Sequence, residues 1–387
     1  MAEPLPLDPL AAKHLPEGIR ARFVPHVNGL NMHVLEAGEA GRPLLLLLHG
    51  FPELAYSWRD VMLPLAEAGY HVVAPDQRGY GRTTGWSAEY DTDLAPFRPL
   101  NYVRDAHALV AALGHTEVAC VIGHDFGAPV AGNCALARPD VFRAVVMMSA
   151  PYGGPRAWPL GPQAAAEAPA GLSSVAFNEA LGRLDPPRQH YQWFYSTRGA
   201  NGDMWQAKQG LHDFLRAYYH HKSADWAANK PHLLAGWTPE ALAVMPTYYV
   251  MPRDLGMAAT VAVEMPDAAA IAANAWLPDA ALAVYAGEYG RTGFQGGLQS
   301  YRTTTGGLAA ADIRLFAGRG IEVPACFIAG ASDWGVYQKP GEFELMQGTA
   351  CRDLRGCHLL RGAGHWVQQE QAAAVAGLLR DFLREAR

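Results

Sequence analysis

Asp125 lies in the pentapeptide Gly123-His124-Asp125-Phe126-Gly127, between Glu117–Gly123, which reads as a buried strand, and an apolar stretch of helical character. A G-x-x-x-G frame between strand and helix is the setting of a nucleophile-bearing turn. Its glycines let two backbones approach closely and let the central residue hold a strained conformation. Serine is usual at the centre and needs a base before it can attack. A carboxylate is already ionised at neutral pH. It suits attack on a saturated carbon, such as that of an epoxide or of a carbon–halogen bond. The product is an ester between protein and substrate, which water must then cleave. Taken alone, an aspartate before a helix is more often an N-cap.

A nucleophile of this kind needs a base for the second step, an acid to orient that base, and an oxyanion hole. His365, in Gly362-Ala363-Gly364-His365-Trp366, is the candidate base, and Asp333, in Gly330-Ala331-Ser332-Asp333-Trp334-Gly335, the candidate acid. The order nucleophile, acid, histidine is that of the α/β-hydrolase triad. His49-Gly50-Phe51-Pro52 follows the Leu-rich strand Leu44–Gly50 and suits an oxyanion loop, the Phe51 N–H joining that of Phe126. Each of these residues has a structural reading on its own. Four matches in the right order, at the right element ends, speak against coincidence. His49, Pro52, Trp193, Trp334 and Trp366 are expected to line the substrate pocket. His124 is expected to point away and make a structural hydrogen bond. The remaining histidines lack metal-ligand spacing, Asp91-Thr92-Asp93 reads as a solvated loop, and no phosphate-binding glycine motif occurs. Neither metal nor cofactor is expected.

Alternating strand and helix signals must position these residues. Leu44–Leu48 is a continuous apolar run, as in a strand covered on both faces. A helix is expected over Ser57–Ala68, a strand at His71–Ala74, and a helix capped by Asn101 and running to Leu113. Strands follow at Val118–Ile122 and Ala144–Met148. From about residue 153 to 318 no buried strand alternation is clear. It resumes at Ala325–Ala329 and His358–Leu360, before a last helix at Gln368–Glu385. The expected fold is α/β, a mostly parallel central sheet with flanking helices and an inserted helical cap. The divisions are 1–152 for the first core part, 153–318 for the cap and 319–387 for the second core part. The cap would cover the strand ends where α/β ligands bind.

Half of the 387 residues are hydrophobic and 18% charged, in the range of an ordinary soluble enzyme. A net charge of −6 excludes the basic footprint of a nucleic-acid binder. Five cysteines without paired spacing argue against a disulfide framework and for a reducing compartment, hence a cytoplasmic location. Met1–Arg20 lacks an apolar run behind basic residues, so no signal peptide is expected. No apolar run is long enough to span a bilayer.

At His49-Gly50-Phe51-Pro52-Glu53, Asp76-Gln77-Arg78-Gly79-Tyr80-Gly81, the Asp125 pentapeptide, Ser332-Asp333-Trp334-Gly335 and Gly362–Glu370, the chain resembles the epoxide hydrolases of the α/β-hydrolase fold. The resemblance extends to His190-Tyr191-Gln192 and, more strongly, to Thr292–Arg302, which includes Tyr301. It implies that Tyr191 and Tyr301 hold the epoxide oxygen and deliver a proton to it. A phenol of pKa near ~10 can donate to the alkoxide that ring opening releases. Phe126 departs from the tryptophan many relatives carry, and Lys222 to Pro278 shows no family motif. The implied partners are a small hydrophobic epoxide and water, with homo-oligomerisation left open. Two other readings stand beside this one. A haloalkane or haloacetate dehalogenase would use the same Asp-His-Asp set, with Trp193 as a halide donor. A non-catalytic ligand-binding protein of the same fold would be expected to have lost a triad member.

Overall fold

The computed structural model describes residues 7–155 and 174–386. Expectations that fall on 1–6 and 156–173 lie outside the described residues. The strands are β1 (Arg20–Val27), β2 (Leu30–Ala37), β3 (Leu44–Leu48), β4 (His71–Pro75), β5 (Cys120–His124), β6 (Val145–Met148), β7 (Arg188–His190), β8 (Val250–Pro252), β9 (Ala325–Gly330) and β10 (Leu354–Leu360). Eight of them form one sheet in the order β1-β2-β4-β3-β5-β6-β9-β10. The pairs β1–β2 and β2–β4 are antiparallel, and every other pair in the sheet is parallel.

Every residue of β3, β4, β5, β6 and β9 is buried, the pattern of strands covered on both faces. β10 alternates between half-buried and exposed positions, as an edge strand does. Expectation and structure differ at several places. Strands β1 and β2 have no counterpart in the sequence reading. β1 carries Arg20, Arg22 and Pro25, and its register with β2 shifts between Val24 and Val27, so its apolar period is broken. The pair β7–β8 is antiparallel and three residues long on each side, too short for any alternation to register.

The helices that matter here are α1 (Arg59–Glu67), α2 (Pro99–Ala112), α3 (Gly127–Ala137), α4 (Leu211–Lys222), α5 (Asp279–Thr292), α6 (Gln295–Thr305) and α7 (Ala372–Glu385). A 3₁₀ turn at Ala55–Trp58 precedes α1, so the helix expected from Ser57 begins tighter than an α-helix. Asn101 does not cap α2. The helix opens on Pro99, whose missing N–H needs no partner, and Asn101 Nδ2 instead donates to Pro96 O at 2.7 Å. The last helix is split at Gln371, with a short turn at Val367–Glu370 before α7.

The helices α4, α5 and α6, with β7–β8, lie in sequence between β6 and β9. Side chains tie them to the core loops. Arg82 donates to Glu288 Oε1 at 2.6 and 3.0 Å. Arg59 donates to Trp276 O at 3.0 Å and to Gln369 Oε1 at 2.9 Å. Tyr219 and Tyr289 hydroxyls each donate at 3.2 Å, to Pro52 O and Glu53 O. The closest approach is made by two glycines. A Cβ on Gly296 would stand 2.1 Å from Gly79 O, so the first turn of α6 sits directly on the Asp76–Gly81 loop. Tyr301 lies five residues further along the same helix. Among the described residues, no helix is long and apolar enough to cross a membrane.

Gly296→Ala should therefore push α6 away from Gly79. Overpacking of this kind costs about 1–3 kcal/mol. Thermal unfolding and turnover should fall together; a variant with both unchanged would show that the contact does not set the position of α6.

Candidate active site

Asp125 occupies the turn between β5 and α3 with φ of 51°, in the left-handed region that a non-glycine side chain enters at a cost. The turn can be this tight because a Cβ on Gly123 would meet Gly127 O at 2.0 Å. The side chain is thereby aimed back over the sheet edge. Its Oδ1 accepts the Phe51 N–H at 2.8 Å, and its Oδ2 lies 3.3 Å from His365 Nε2. That imidazole nitrogen has no hydrogen bond among the described residues. The second expected oxyanion donor, the Phe126 N–H, follows directly in the turn. Burial opposes ionisation of Asp125. Contact with His365 and the charges of Lys222 and His124 outweigh it and hold the carboxyl well below its ordinary range.

His365 is oriented from its far side. Nδ1 lies 3.1 Å from Asp333 Oδ1 and 2.8 Å from Ser149 Oγ, and the Ser149 hydroxyl donates to Asp333 Oδ2. With Nδ1 engaged by these groups, Nε2 is the nitrogen that faces Asp125. Asp333 also accepts the Gly335 N–H at 2.7 Å. Burial raises its pKa, but His365, Ser149 and the Gly335 N–H bring it below the usual value.

The loop carrying His365 is clamped through its backbone. The His365 N–H donates to Lys222 O at 2.9 Å, and its carbonyl lies 2.6 Å from His124 Nε2. Glu370 accepts the N–H groups of Gly364, Trp366 and Ala224 at 2.9, 2.9 and 2.8 Å. His124, as expected, points away from the nucleophile's target. Its Nδ1 lies 2.6 Å from Glu53 Oε2, while Glu53 Oε1 accepts from Gln368 and Gln369 at 2.8 and 3.0 Å. Burial disfavours both charges of this pair, yet their mutual attraction raises His124 and lowers Glu53.

The tyrosines from the inserted segment meet in one aromatic layer above Phe51. The Tyr301 ring packs on Phe51 at 5.5 Å, Tyr195 at 5.0 Å and Tyr191 at 6.0 Å. Burial and the Asp125 charge push the hydroxyl pKa values of Tyr301 and Tyr191 upward. The Tyr191 hydroxyl donates to Gln338 Oε1 at 3.2 Å and accepts from Gln192 at 3.0 Å. It must turn from Gln338 to donate to anything else.

The expected pocket residues divide. His49 is held within the loops. Its Nδ1 lies 2.9 Å from Gly50 O and its Nε2 accepts the Gln77 N–H at 3.1 Å, so both nitrogens serve the loops and neither is free for a ligand. Trp366 is buried against the His365 ring at 4.7 Å, and its indole N–H is taken by Tyr219 O. Pro52 is buried and holds Tyr219 through its carbonyl. Trp334 is buried beside Asp333, its indole N–H without a partner among the described residues. Trp193 is half-buried on the turn that carries Tyr191.

Residues 43–371 match the family model of the alpha/beta hydrolase fold. Epoxide hydrolase B of Mycobacterium tuberculosis is 33% identical over 355 residues, covering 88% of this chain and 91% of that protein. Epoxide hydrolase A of the same organism is also 33% identical, covering 92% and 95%. The chain belongs to the epoxide hydrolase family. The crystal structure of epoxide hydrolase A from Mycobacterium thermoresistibile superimposes with a TM-score of 0.73 at 31% identity, over 95% of this chain and 99% of the other. Potato epoxide hydrolase I does so with a TM-score of 0.70 at 30% identity, with the same coverage. Ser149, Glu53, Gln338, Glu370 and Lys222 belong to the site without having been singled out from sequence. Glu53 and Glu370 stand at the ends of motifs read from the sequence, whereas Ser149 is marked only in the fold, by a φ of 68° just past β6.

A depressed carboxyl pKa keeps the ionised form populated as pH falls. Ester formation on Asp125, measured by quenched single-turnover mass spectrometry, should therefore hold its neutral-pH rate down to about pH 5. A midpoint inside the ordinary carboxylate range near ~4–5 would contradict this arrangement.

Proposed function

We propose that the protein converts a small hydrophobic epoxide and water to a vicinal diol through an ester on Asp125. The observation that carries this reading is the split environment of one carboxylate. Oδ1 sits on the Phe51 N–H, while Oδ2 faces the unbonded His365 Nε2. Oδ2 attacks a ring carbon from behind, that carbon's bond to the epoxide oxygen breaks, and the oxygen takes a proton from Tyr301 or Tyr191. Oδ1 becomes the ester carbonyl oxygen, already placed on its donors. His365 Nε2 then removes a proton from water as it attacks the ester carbon. The tetrahedral oxyanion forms on Oδ1, beside Phe51 and Phe126. On collapse the departing diol oxygen takes the proton held by His365, the new Asp125 carboxyl gives up its remaining proton to restore the tyrosine, and the water oxygen stays in the Asp125 carboxylate.

The aromatic layer of Phe51, Tyr191, Tyr195 and Tyr301 supports a hydrophobic substrate. We read the segment between β6 and β9 as a cap that delivers the two phenols. The dehalogenase reading needs N–H donors for a leaving halide. Phe126 has no such group on its side chain, and the Trp366 indole is taken by Tyr219. The five cysteines described are all free, in keeping with a cytoplasmic protein.

In one turnover in heavy-oxygen water the label should enter Asp125, and peptide mass mapping should find it there. Label appearing first in the diol would rule out the covalent route. Tyr301→Phe should slow ester formation by about 100-fold or more, as loss of general acid catalysis does, and leave ester cleavage nearly unchanged. Equal slowing of both steps would remove Tyr301 from its proposed role.

A further inference from the structure

Helix α4 ends on a lysine that the reaction scheme does not use. Lys222 is 3% exposed. Its ammonium lies over the rings of Tyr249, Trp366, Tyr218 and Tyr248 at 5.2, 5.3, 5.4 and 5.7 Å. It forms no salt bridge with a carboxylate among the described residues. Four ring faces compensate part of the lost hydration, because each presents negative quadrupole density to the cation. An unpaired buried ammonium nevertheless costs stability, and a hydrophobe of similar volume would fill the cage without that cost.

The charged and titratable groups around the cage belong to the active site. Burial disfavours the ammonium, and Asp125, Asp333 and Glu53 favour it. His124 stands beside Asp125 on the elbow, and His221 precedes Lys222 on α4, its ring against Tyr248 at 4.7 Å. Tyr218, Tyr248 and Tyr249 remain neutral, burial holding each hydroxyl pKa above 10. The Lys222 carbonyl fixes the His365 N–H at 2.9 Å. Three buried carboxylates thus face one imidazolium, His124, and one ammonium. Without the ammonium, the surplus negative charge would favour proton uptake at the site.

We infer that Lys222 is a positioning residue for the reaction, its charge keeping Asp125 ionised and His365 unprotonated. The inference rests on the covalent reading proposed above. Its effect is clearest after alkylation, when Asp125 no longer carries charge. A fixed cation then opposes a second cation on His365 and leaves the base free to take a proton from water.

The test compares Lys222→Met with the wild-type protein in two measurements, ester cleavage against pH and thermal unfolding. Removing the cation should move the acid limb of ester cleavage upward by about one pH unit. Cleavage in the acid range should then be about tenfold slower, while the alkaline plateau stays within about twofold. The unfolding temperature should stay the same or rise. An unmoved limb in the folded variant overturns the inference. So does a uniform loss at every pH with a lower unfolding temperature, which marks a packing role. Lys222→Gln serves as a second neutral variant; failure of both to fold would mean that the cage needs the ammonium for packing, which also overturns it. His365→Gln exposed to an epoxide tests the underlying scheme separately. Absence of an ester there removes both readings, whereas an ester with an unmoved limb in Lys222→Met removes only this one.

Discussion

The structure is organised around one demand, that a carboxylate at the apex of a strained turn stay ionised while buried. Transfer of an unpaired carboxylate into a protein interior costs several kcal/mol, and such a group ordinarily neutralises instead. Asp125 escapes this through the Phe51 N–H, the nearby His365 ring and the cations His124 and Lys222. Each of these is itself buried and needs its own compensation. Glu53 holds His124, two glutamines hold Glu53, Asp333 and Ser149 hold His365, and an aromatic cage holds Lys222. The polar core is therefore a chain of dependencies that ends at one charge.

The same demand explains why the loop of His365 is held at its backbone. Side chains that neighbour a reacting imidazole compete for its lone pair. Groups bonded to its amide and carbonyl fix the loop without touching the ring nitrogens. Glu370 accepts the N–H groups on either side of the histidine and that of Ala224, and His124 and Lys222 O take the histidine's own amide groups. The ring is left with one oriented nitrogen and one free nitrogen.

What the sequence reveals follows from how local each feature is. Asp125, His365, Asp333 and Phe51 sit at strand ends inside short contiguous motifs, so residue type and neighbours were enough to find them. The parallel strands were legible because burial on both faces leaves unbroken apolar runs. β1 and β2 were not, because an antiparallel edge mixes Arg20, Arg22 and Pro25 with apolar positions. Asn101 looked like a cap because its residue type is right for one, but Pro99 had already opened the helix. His49 looked like a pocket residue because it adjoins the oxyanion loop, yet the Gln77 loop claims its ring. Ser149 lies 216 residues from His365, and Glu53 71 residues from His124, and no local pattern marks such pairs. Lys222 was hidden for a further reason: its partners are four ring faces from three places in the chain, and a lysine at a helix end is ordinarily a solvated charge.

The position of Lys222 also bears on how the inserted segment and the core work together. One residue places its carbonyl on the His365 amide and its ammonium in a cage built from α4, the turn before β8 and Trp366. The tyrosines proposed to protonate the epoxide oxygen come from the same segment. Any movement that carried α4 away from the core would at once loosen the base and withdraw the cation. The glycine contact between Gly79 and Gly296 limits how near α6 can come to the core loop, because neither backbone can approach further. One residue, Lys222, thus joins the position of α4 to the loop that carries His365.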